Sequence, residues 1–236
     1  MSAVTSTTKP VQGLSSGERE QMFRLMDANY LGVDRRTFAA DLGEKESVFL
    51  LLDRDSGAIV GFSTVMVLDL TISSGPVKVV FSGDTIVARE YRRTTGLGVE
   101  LGRYFRALLQ RFPGTPIYWI LTSKGCRTYR LLPFLFLTFS PCFDRPTPPL
   151  HREVRDAFGA KKYPQEYDPG AGLIRYRGEA QRLRPGVADA TEGRLSDPHT
   201  RFFFQVNPKH MRGDDLVCVA EVAEHILSKG FRRLLE

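Results

Sequence analysis

Residues 79–109 read VVFSGDTIVAREYRRTTGLGVELGRYFRALL, and the spacing of the apolar residues changes within this stretch. The first ten residues are rich in valine and isoleucine, which is typical of a buried β-strand. From Leu97 to Leu109 the apolar residues fall three or four positions apart, which predicts an amphipathic α-helix. The stretch therefore predicts a strand that leads through a short loop into a helix.

The loop between this strand and helix is Arg92-Arg93-Thr94-Thr95-Gly96-Leu97-Gly98. Glycine lets a backbone approach a ligand closely, and the free N–H groups and dipole at a helix N-terminus favour an anion. With two adjacent arginines, the loop predicts a pyrophosphate site; a glycine-rich turn without a ligand is the alternative. A dinucleotide-binding fingerprint is excluded because Leu101 stands where the third glycine belongs, and no Gly-Lys-Ser/Thr phosphate loop occurs.

Two helices and a meander of strands are predicted before this unit. Ser15 and Glu18 have the spacing of a capping box, and Asp34 is placed to cap a second, short helix. Strands are predicted at residues 47–52, 58–70 and 77–88. The turns that join these strands are too short for parallel crossovers, so the strands form an antiparallel meander.

After this unit, residues 116–121 (PIYWIL) predict a short buried strand, and Ser123 is placed to cap a helix that Pro133 ends near Leu132. The predicted class is therefore α/β (α+β), with a mixed, mainly antiparallel central sheet that is flanked by helices. Beyond residue 141 the pattern weakens, although a helix at residues 150–158, strands at 173–176 and 216–222 and a helix at 223–235 are predicted.

The chain has 236 residues and a net charge of +6, with 33 Lys and Arg against 27 Asp and Glu. Most of the basic residues are arginine, which suits contact with phosphate or carboxylate; a solvated basic surface is the alternative. No run of five or more basic residues occurs. We therefore do not expect nucleic acid as a partner.

The three cysteines, Cys126, Cys142 and Cys218, are far apart and form no CxxC pair, so neither a zinc site nor a disulfide framework is expected. The first thirteen residues are polar and lack the apolar segment of a secretory signal. The longest apolar run, residues 131–139, is too short to span a bilayer. We expect a cytoplasmic protein without a metal or a membrane span.

The loop Arg93-Thr94-Thr95-Gly96-Leu97-Gly98 resembles the pyrophosphate signature [RQ]-x-x-G-x-[GA] of the GNAT (Gcn5-related N-acetyltransferase) superfamily. The order of the predicted elements over about residues 18–140 is similar to that family as well. The resemblance implies that the chain binds acyl-CoA, coenzyme A or an acyl-phosphopantetheine as co-substrate. The implied contacts are with the strand end at Ile86, Val87 and Ala88 and with the loop residues Arg92, Arg93, Thr94, Thr95, Gly96, Leu97 and Gly98.

Three parts of the chain are predicted. Residues 1–14 are a flexible tail, residues 15–140 are a GNAT-like core with the donor site, and residues 141–236 complete the sheet and the acceptor side. His199, Asn207, His210, Asp214 and Asp215 in the last part are candidates for acceptor binding.

Direct acyl transfer to an amine needs a base for the ammonium and an acid for the leaving sulfur. Asp84 is the one carboxylate inside the signature strand, where aspartate is unfavourable, and such local violations cluster at functional sites. The resemblance implies a tyrosine acid on the helix after the short strand, and Tyr129 lies there. However, the chain departs from the family pattern, because Ser123 stands where the family has asparagine and Arg130 corresponds better to the tyrosine position.

The run from Leu131 to Phe139 is either core or the lining of a pocket for a long acyl chain, in which Phe134 and Phe136 would contact the donor. Three functions remain open from the sequence. The first is an N-acyltransferase that uses acyl-CoA and a small-molecule or peptide amine. The second is a relative of the N-acyl amino acid synthases and peptide-lipidating enzymes, which takes a long acyl group from an acyl carrier protein. The third is a non-catalytic module that senses acyl-CoA or contacts nucleic acid.

Overall fold

The structure is a computed structural model that describes residues 4–176, 181–187 and 196–235. The strands within these ranges are β1 Val4–Pro10, β2 Tyr30–Leu31, β3 Ser47–Asp53, β4 Ile59–Ile72, β5 Gly75–Val87, β6 Ile117–Ser123, β7 Tyr167–Asp168, β8 Leu173–Ile174, β9 Arg182–Leu183 and β10 Asp215–Glu221. Eight of them form a sheet with the order β1-β3-β4-β5-β6-β10-β8-β7, and β2 and β9 form a separate pair.

Helices flank this sheet on both faces. The α-helices of the described ranges are α1 Ser16–Asn29, α2 Arg35–Gly43, α3 Gly96–Arg111, α4 Cys126–Tyr129, α5 Leu131–Leu135, α6 Pro149–Lys162, α7 Pro198–Val206 and α8 Lys229–Leu235. None of them is both long and apolar enough to cross a bilayer.

The sheet is mixed and mainly antiparallel, as predicted. Among the pairs formed by the described strands, only β5 and β6 run parallel. Parallel neighbours need a crossover connection, and α3 supplies it here. The fold class and the antiparallel meander of β3, β4 and β5 are confirmed.

The core lies on both faces of the sheet because successive side chains of a strand point in opposite directions. On β6, Trp119 packs with Phe105 of α3 and Phe136, whereas Ile120 belongs to the cluster of Phe158 on α6. A third cluster joins α1 and α2 to β3 and β4, with Met22 of α1 fully buried.

Both predicted helix caps are confirmed. The Ser15 hydroxyl accepts the Glu18 N–H while the Glu18 carboxylate accepts the Ser15 N–H, which is a complete capping box. The Asp34 carboxylate accepts the N–H of Thr37 at 2.8 Å at the start of α2. These caps fix where the two N-terminal helices begin.

The prediction of a loose tail at residues 1–14 is wrong for the part that the structure describes. Val4–Pro10 forms the edge strand β1, which pairs along its whole length with β3, and Val11 and Leu14 are buried. The Ser/Thr-rich composition obscured this strand, whose stabilising contacts come from backbone pairing and from Glu100 on α3.

The helix predicted from Ser123 to Leu132 is also different. Ser123 is the last residue of β6, and its hydroxyl donates to the Gly125 carbonyl instead of capping a helix. Two short helices, α4 and α5, follow, and Pro133 lies within the first turn of α5, where its missing N–H costs no hydrogen bond.

In the C-terminal part, α6 extends beyond the predicted 150–158, since Gly159 lies inside the helix. A Cβ at Gly159 would stand 2.3 Å from the Tyr167 ring, so this glycine serves close packing and not helix termination. The strand predicted at 216–222 is confirmed as β10, whereas the one at 173–176 is the two-residue β8. Residues 223–235 contain a 3-10 helix at Glu224–Ile226 before α8, and α7 was not predicted.

Glu100 provides a test of how β1 is held. This buried carboxylate on α3 accepts hydrogen bonds from Ser6 at 2.9 Å and from Thr8 at 2.7 Å, both on β1. Because hydrogen bonds to charged groups contribute about 1.5–3 kcal/mol each, we expect Glu100→Ala to lower the unfolding free energy by about 2–4 kcal/mol in urea denaturation. The exposed Glu224 provides the control variant Glu224→Ala, and an equal loss in the two variants would contradict this role.

Candidate active site

A β-bulge interrupts β5 at Gly83 and Asp84. The pairing of β4 with β5 shifts between Ser63 opposite Thr85 and Val65 opposite Ser82, so that Thr64 alone faces both Gly83 and Asp84. A bulge redirects a side chain and is common next to active sites. Asp84 therefore occupies a position that the regular ladder would not provide.

Gly83 is required at this bulge. A Cβ on it would stand 2.6 Å from the Thr64 hydroxyl oxygen and 2.8 Å from Cε of Lys45. Both distances are shorter than real Cβ contacts, so any other residue would push these neighbours away. The sequence Gly83-Asp84 thus combines close packing with a redirected carboxylate.

The bulge lies where β5 loses its pairing with β6. The parallel ladder joins Lys78–Ser82 to Ile117–Leu121, whereas β5 continues to Val87 beside β4 and β6 continues to Ser123 beside β10. Beyond Ser82, β5 thus has a backbone edge that the described strands leave unpaired. Such an edge suits an extended ligand that adds alongside a strand.

Asp84 is partly buried, and burial is the main reason that its pKa is raised to about 6; the nearby carboxylate of Asp41 raises the pKa further. The ammonium groups of Lys45 and Lys124 act in the opposite direction, and Asp215 adds a smaller upward contribution. A carboxyl with a pKa near 6 is suited to accept a proton at neutral pH.

Two ion pairs flank Asp84. On the side of β4, the ammonium of Lys45 lies 2.6 Å from Oδ2 of Asp41. On the side of β10, Lys124 pairs with the buried Asp215 and lies 4.7 Å from the centre of the Tyr176 ring.

Three tyrosines complete this polar cluster. The Tyr176 hydroxyl donates to Oδ2 of Asp215 at 3.2 Å, and its ring lies 6.3 Å from that of Tyr163 and nearly perpendicular to it. Burial is the main cause that raises the pKa of Tyr30, Tyr163 and Tyr176, and negative charge nearby adds to it: Asp84 first for Tyr30, Asp215 first for the other two. All three hydroxyls are therefore protonated at neutral pH.

The N-terminus of α3 follows the same strand. Thr95 is the N-cap residue, but its side chain makes no capping hydrogen bond, and the Val99 N–H donates to the Thr95 carbonyl. The first-turn N–H groups at Gly96, Leu97 and Gly98 precede that bond and are oriented to favour an anion.

The two arginines of the loop have different environments. Arg92 turns inward, where its guanidinium donates to the Val87 carbonyl at 3.2 Å and to the Asn29 side chain at 3.0 Å. Arg93 is exposed beside the helix start. The predicted contact of Arg92 with a phosphate thus competes with an internal role, whereas Arg93 meets no such competition in the described residues.

Gly96 serves packing in this structure. A Cβ on it would stand 2.6 Å from Cδ1 of Leu51 and 3.4 Å from Cβ of Ser6, so the absence of a side chain lets α3 approach β1 and β3. The sequence reasoning assigned this glycine to close approach of a phosphate. The observed contact is instead between the helix and the sheet.

At the predicted strand end, Ile86 is buried in the core cluster of α1 and α2. The Ala88 N–H donates to the Val60 carbonyl, so Ala88 faces β4. Because neighbouring residues of a strand alternate in direction, the backbone of Val87 faces the opposite edge, and its carbonyl accepts the Arg92 bond.

The structure does not bring Tyr129 together with Asp84. The Tyr129 ring is fully buried among Phe139, Phe202 and Phe203, and its hydroxyl donates to the Pro141 carbonyl at 2.9 Å. Its pKa is raised, first by burial and then by Cys218. This geometry favours a packing role for Tyr129.

Phe134 and Phe136 lie in different environments. Phe136 is buried and stacks on Trp119 with a centroid distance of 5.4 Å, whereas 49% of the Phe134 surface is exposed. They do not line one pocket together. This arrangement favours the core interpretation of the run from Leu131 to Phe139.

Sequence reasoning missed Lys45, Lys124 and Tyr176 as members of the site. Asp215 was named as a candidate for acceptor binding. The available signals were weak: Lys124 directly follows the mainly apolar strand β6, and Asp215 begins β10.

The sequence matches no protein-family model, and a search of the curated proteins finds no similar sequence. Among solved structures, a probable N-acyltransferase from Enterococcus faecalis V583 is 15% identical with a TM-score of 0.42; the alignment covers 57% of this chain and 33% of that one. NAA60 from Arabidopsis thaliana, solved with acetyl-CoA, is 16% identical with a TM-score of 0.40, covering 57% of this chain and 89% of that one. A GNAT family N-acetyltransferase from Escherichia coli, solved with CoA, is 12% identical with a TM-score of 0.37, covering 50% and 62%.

These three alignments each cover between 50% and 57% of this chain. The chain spans only a third of the Enterococcus faecalis protein. At these identities and TM-scores the likeness carries nothing about family or activity.

The raised pKa of Asp84 predicts a measurable effect on stability. The unfolded chain ionises Asp84 near its ordinary pKa of about 3.9, but the folded chain does so only near 6. Ionisation of the unfolded state therefore destabilises the fold as pH rises from about 4 to about 6. The Asp84→Asn variant has no carboxyl to ionise at this position, so it escapes this loss. We expect the change in unfolding free energy caused by Asp84→Asn to be more favourable at pH 7 than at pH 4, by about 1–3 kcal/mol.

Urea denaturation at the two pH values measures this difference, and Asp55→Asn in the exposed turn between β3 and β4 is the matched control. A stabilisation by Asp84→Asn that is the same at pH 4 and pH 7 would show that Asp84 titrates normally.

Phe136→Ala tests the acyl-pocket hypothesis. If Phe136 is core, the substitution should lower the unfolding free energy by about 3–5 kcal/mol and leave the relative efficiency of short-chain and long-chain donors unchanged. Phe134→Ala is the exposed control and should cost less than about 0.5–1 kcal/mol. A selective loss of long-chain donors in the Phe136 variant would instead place this ring in a donor pocket.

Proposed function

We propose that this chain is an N-acyltransferase that moves an acyl group from a thioester to an amine by direct attack. The observation that carries the proposal is the placement of Asp84. This carboxylate, with a raised pKa, lies on a bulge beside an unpaired strand edge, and the same strand leads into an anion-favouring helix N-terminus.

The donor side consists of the β5 edge and the start of α3. The edge offers backbone groups to an extended pantetheine arm, and the first-turn N–H groups of α3 with Arg93 favour its phosphates. The unpaired edge of β5 and the N-terminus of α3 follow each other along the chain. A donor that contacts both would therefore pass the bulge at Gly83 and Asp84.

On the acceptor side, Asp84 takes the proton from the ammonium, directly or through a water molecule. The free amine attacks the thioester carbonyl carbon, a C–N bond forms, and the C–S bond breaks with the electron pair leaving on sulfur. The proton that the attacking nitrogen then loses passes to this sulfur, so that the products are an amide and a thiol. Desolvation beside Asp84 also lowers the pKa of the acceptor ammonium, which narrows the gap between acid and base.

Coenzyme A and a phosphopantetheine on a carrier protein present the same arm and thioester. The exposed Phe134 and buried Phe136 give no support to a long-chain pocket, so we favour acyl-CoA as the donor. The carrier-protein donor and a role in sensing acyl-CoA without turnover are outcomes that the experiment below separates.

The experiment measures donor binding by calorimetry and transfer by mass spectrometry. Acetyl-, octanoyl- and palmitoyl-CoA serve as donors, and amino acids, a short peptide and a polyamine serve as acceptors. We expect turnover that rises with pH through about 6, as Asp84 loses its proton. Asp84→Asn should lower kcat by about 10²–10⁴, with little change in donor affinity.

The control variant is again Asp55→Asn, which should retain full turnover. Binding of acyl-CoA without transfer to any amine would favour a sensor. Transfer that requires an acyl carrier protein would favour the second donor. Wild-type turnover in the Asp84 variant would remove Asp84 from the mechanism.

A further inference from the structure

Lys45 is buried under the bulge. It follows the end of α2, where its N–H donates to the Leu42 carbonyl, and its side chain is completely inaccessible to solvent. The ammonium pairs with Asp41 at 2.6 Å and donates to the Asp41 carbonyl at 3.0 Å. The last carbon of the stem lies 2.8 Å from where a Cβ on Gly83 would be, so Lys45 packs directly on the bulge.

Burial of this charge is not explained by stability. Desolvation of an ammonium is costly, and its one carboxylate partner is itself 39% exposed, which weakens the attraction that offsets that cost. An apolar side chain of similar length would fill the same space without the penalty. A buried charge that is kept despite this cost indicates a function other than stability. Lys45 contacts Gly83, and the next residue along the strand is Asp84.

We propose that Lys45 is a positioning residue that packs under the Gly83–Asp84 bulge and holds a buried positive charge that favours the ionised form of the Asp84 carboxylate. The role of Lys45 in catalysis rests on the proposed function. Its effect on the charge of Asp84 can be tested without any substrate.

The charges around Asp84 support this assignment. Six groups from the surrounding elements interact with it, namely Tyr30, Asp41, Lys45, Lys124, Tyr163 and Asp215. Burial raises the pKa of Asp84, and Asp41 raises it further, while Lys45 is the first of the groups that lower it. Removal of the Lys45 charge and removal of the Asp41 charge should therefore have opposite effects.

The experiment is an NMR titration of the Asp84 side-chain carboxyl carbon in the full chain without ligand, between pH 4 and 9. Asp84→Asn identifies the signal. We expect Lys45→Met to raise the midpoint by about 1 pH unit or more, and Asp41→Asn to lower it. The double variant, which leaves no unpaired buried charge, should fold and have a midpoint between those of the single variants.

Lys78→Met is the matched control. Lys78 lies at the opposite end of β5, is partly buried and pairs with Asp69 at 2.5 Å. Its replacement should leave the midpoint of Asp84 where it is in the wild type.

A common midpoint in the wild type, the Lys45 variant and the double variant would overturn the proposal, and so would shifts of the opposite sign. If Lys45→Met alone does not fold, the comparison of Asp41→Asn with the double variant still decides, because these two differ only at Lys45: the double variant should have the higher midpoint, and equal midpoints would overturn the proposal. Predicted shifts in a protein that transfers no acyl group would leave this electrostatic assignment in place and remove the proposed function alone.

Discussion

The close contact at Gly83 is the constraint on which the rest of the site depends. Because this residue has no Cβ, Thr64 and Lys45 can approach the strand to distances that a side chain would forbid. That approach accommodates the extra residue on β5 and turns Asp84 out of the regular ladder. The same point on β5 ends its pairing with β6, so one local packing event provides both a carboxylate and an open strand edge.

The polar cluster around this bulge lowers the free energy of unfolding. Asp84 is held where its ionised form is disfavoured, the Lys45 ammonium is wholly removed from water beside a partly exposed Asp41, and the ion pair of Lys124 with Asp215 is largely removed from water. Buried ion pairs of this kind contribute little net stability and are strongly destabilising when one partner is lost. The stabilising contacts lie elsewhere, in the aromatic core around Trp119 and Phe136 and in the clusters under α6 and α1. The residues that stabilise the fold are thus different from the polar residues that form the site.

Local sequence signals predicted the elements whose causes are local. Alternation and turn residues gave the meander, apolar spacing gave α3, and the caps at Ser15 and Asp34 were correct. Asp84 was found because an aspartate violates the composition of a strand. The remaining members of the site come from segments that are far apart in the sequence and that the sheet topology brings together. The spacing of residues along the chain does not reveal such contacts. The edge strand β1 was missed for the same reason, since its stability comes from pairing with β3 and from Glu100, not from its own composition.

Within the loop from Arg92 to Gly98, some residues serve the packing of the fold and others are available to a ligand. Gly96 has no side chain because Leu51 and Ser6 occupy that space, and Arg92 fixes the strand end to Asn29 and the Val87 carbonyl. Gly96 lets the start of α3 lie against the sheet, and Arg92 ties the end of β5 to the end of α1 just before the helix begins. Because they do so, the first-turn N–H groups and the exposed Arg93 remain available to an anion. In this loop Gly96, which matches the signature, and Arg92, which precedes it, thus help to fix the position of a helix N-terminus whose dipole favours an anion.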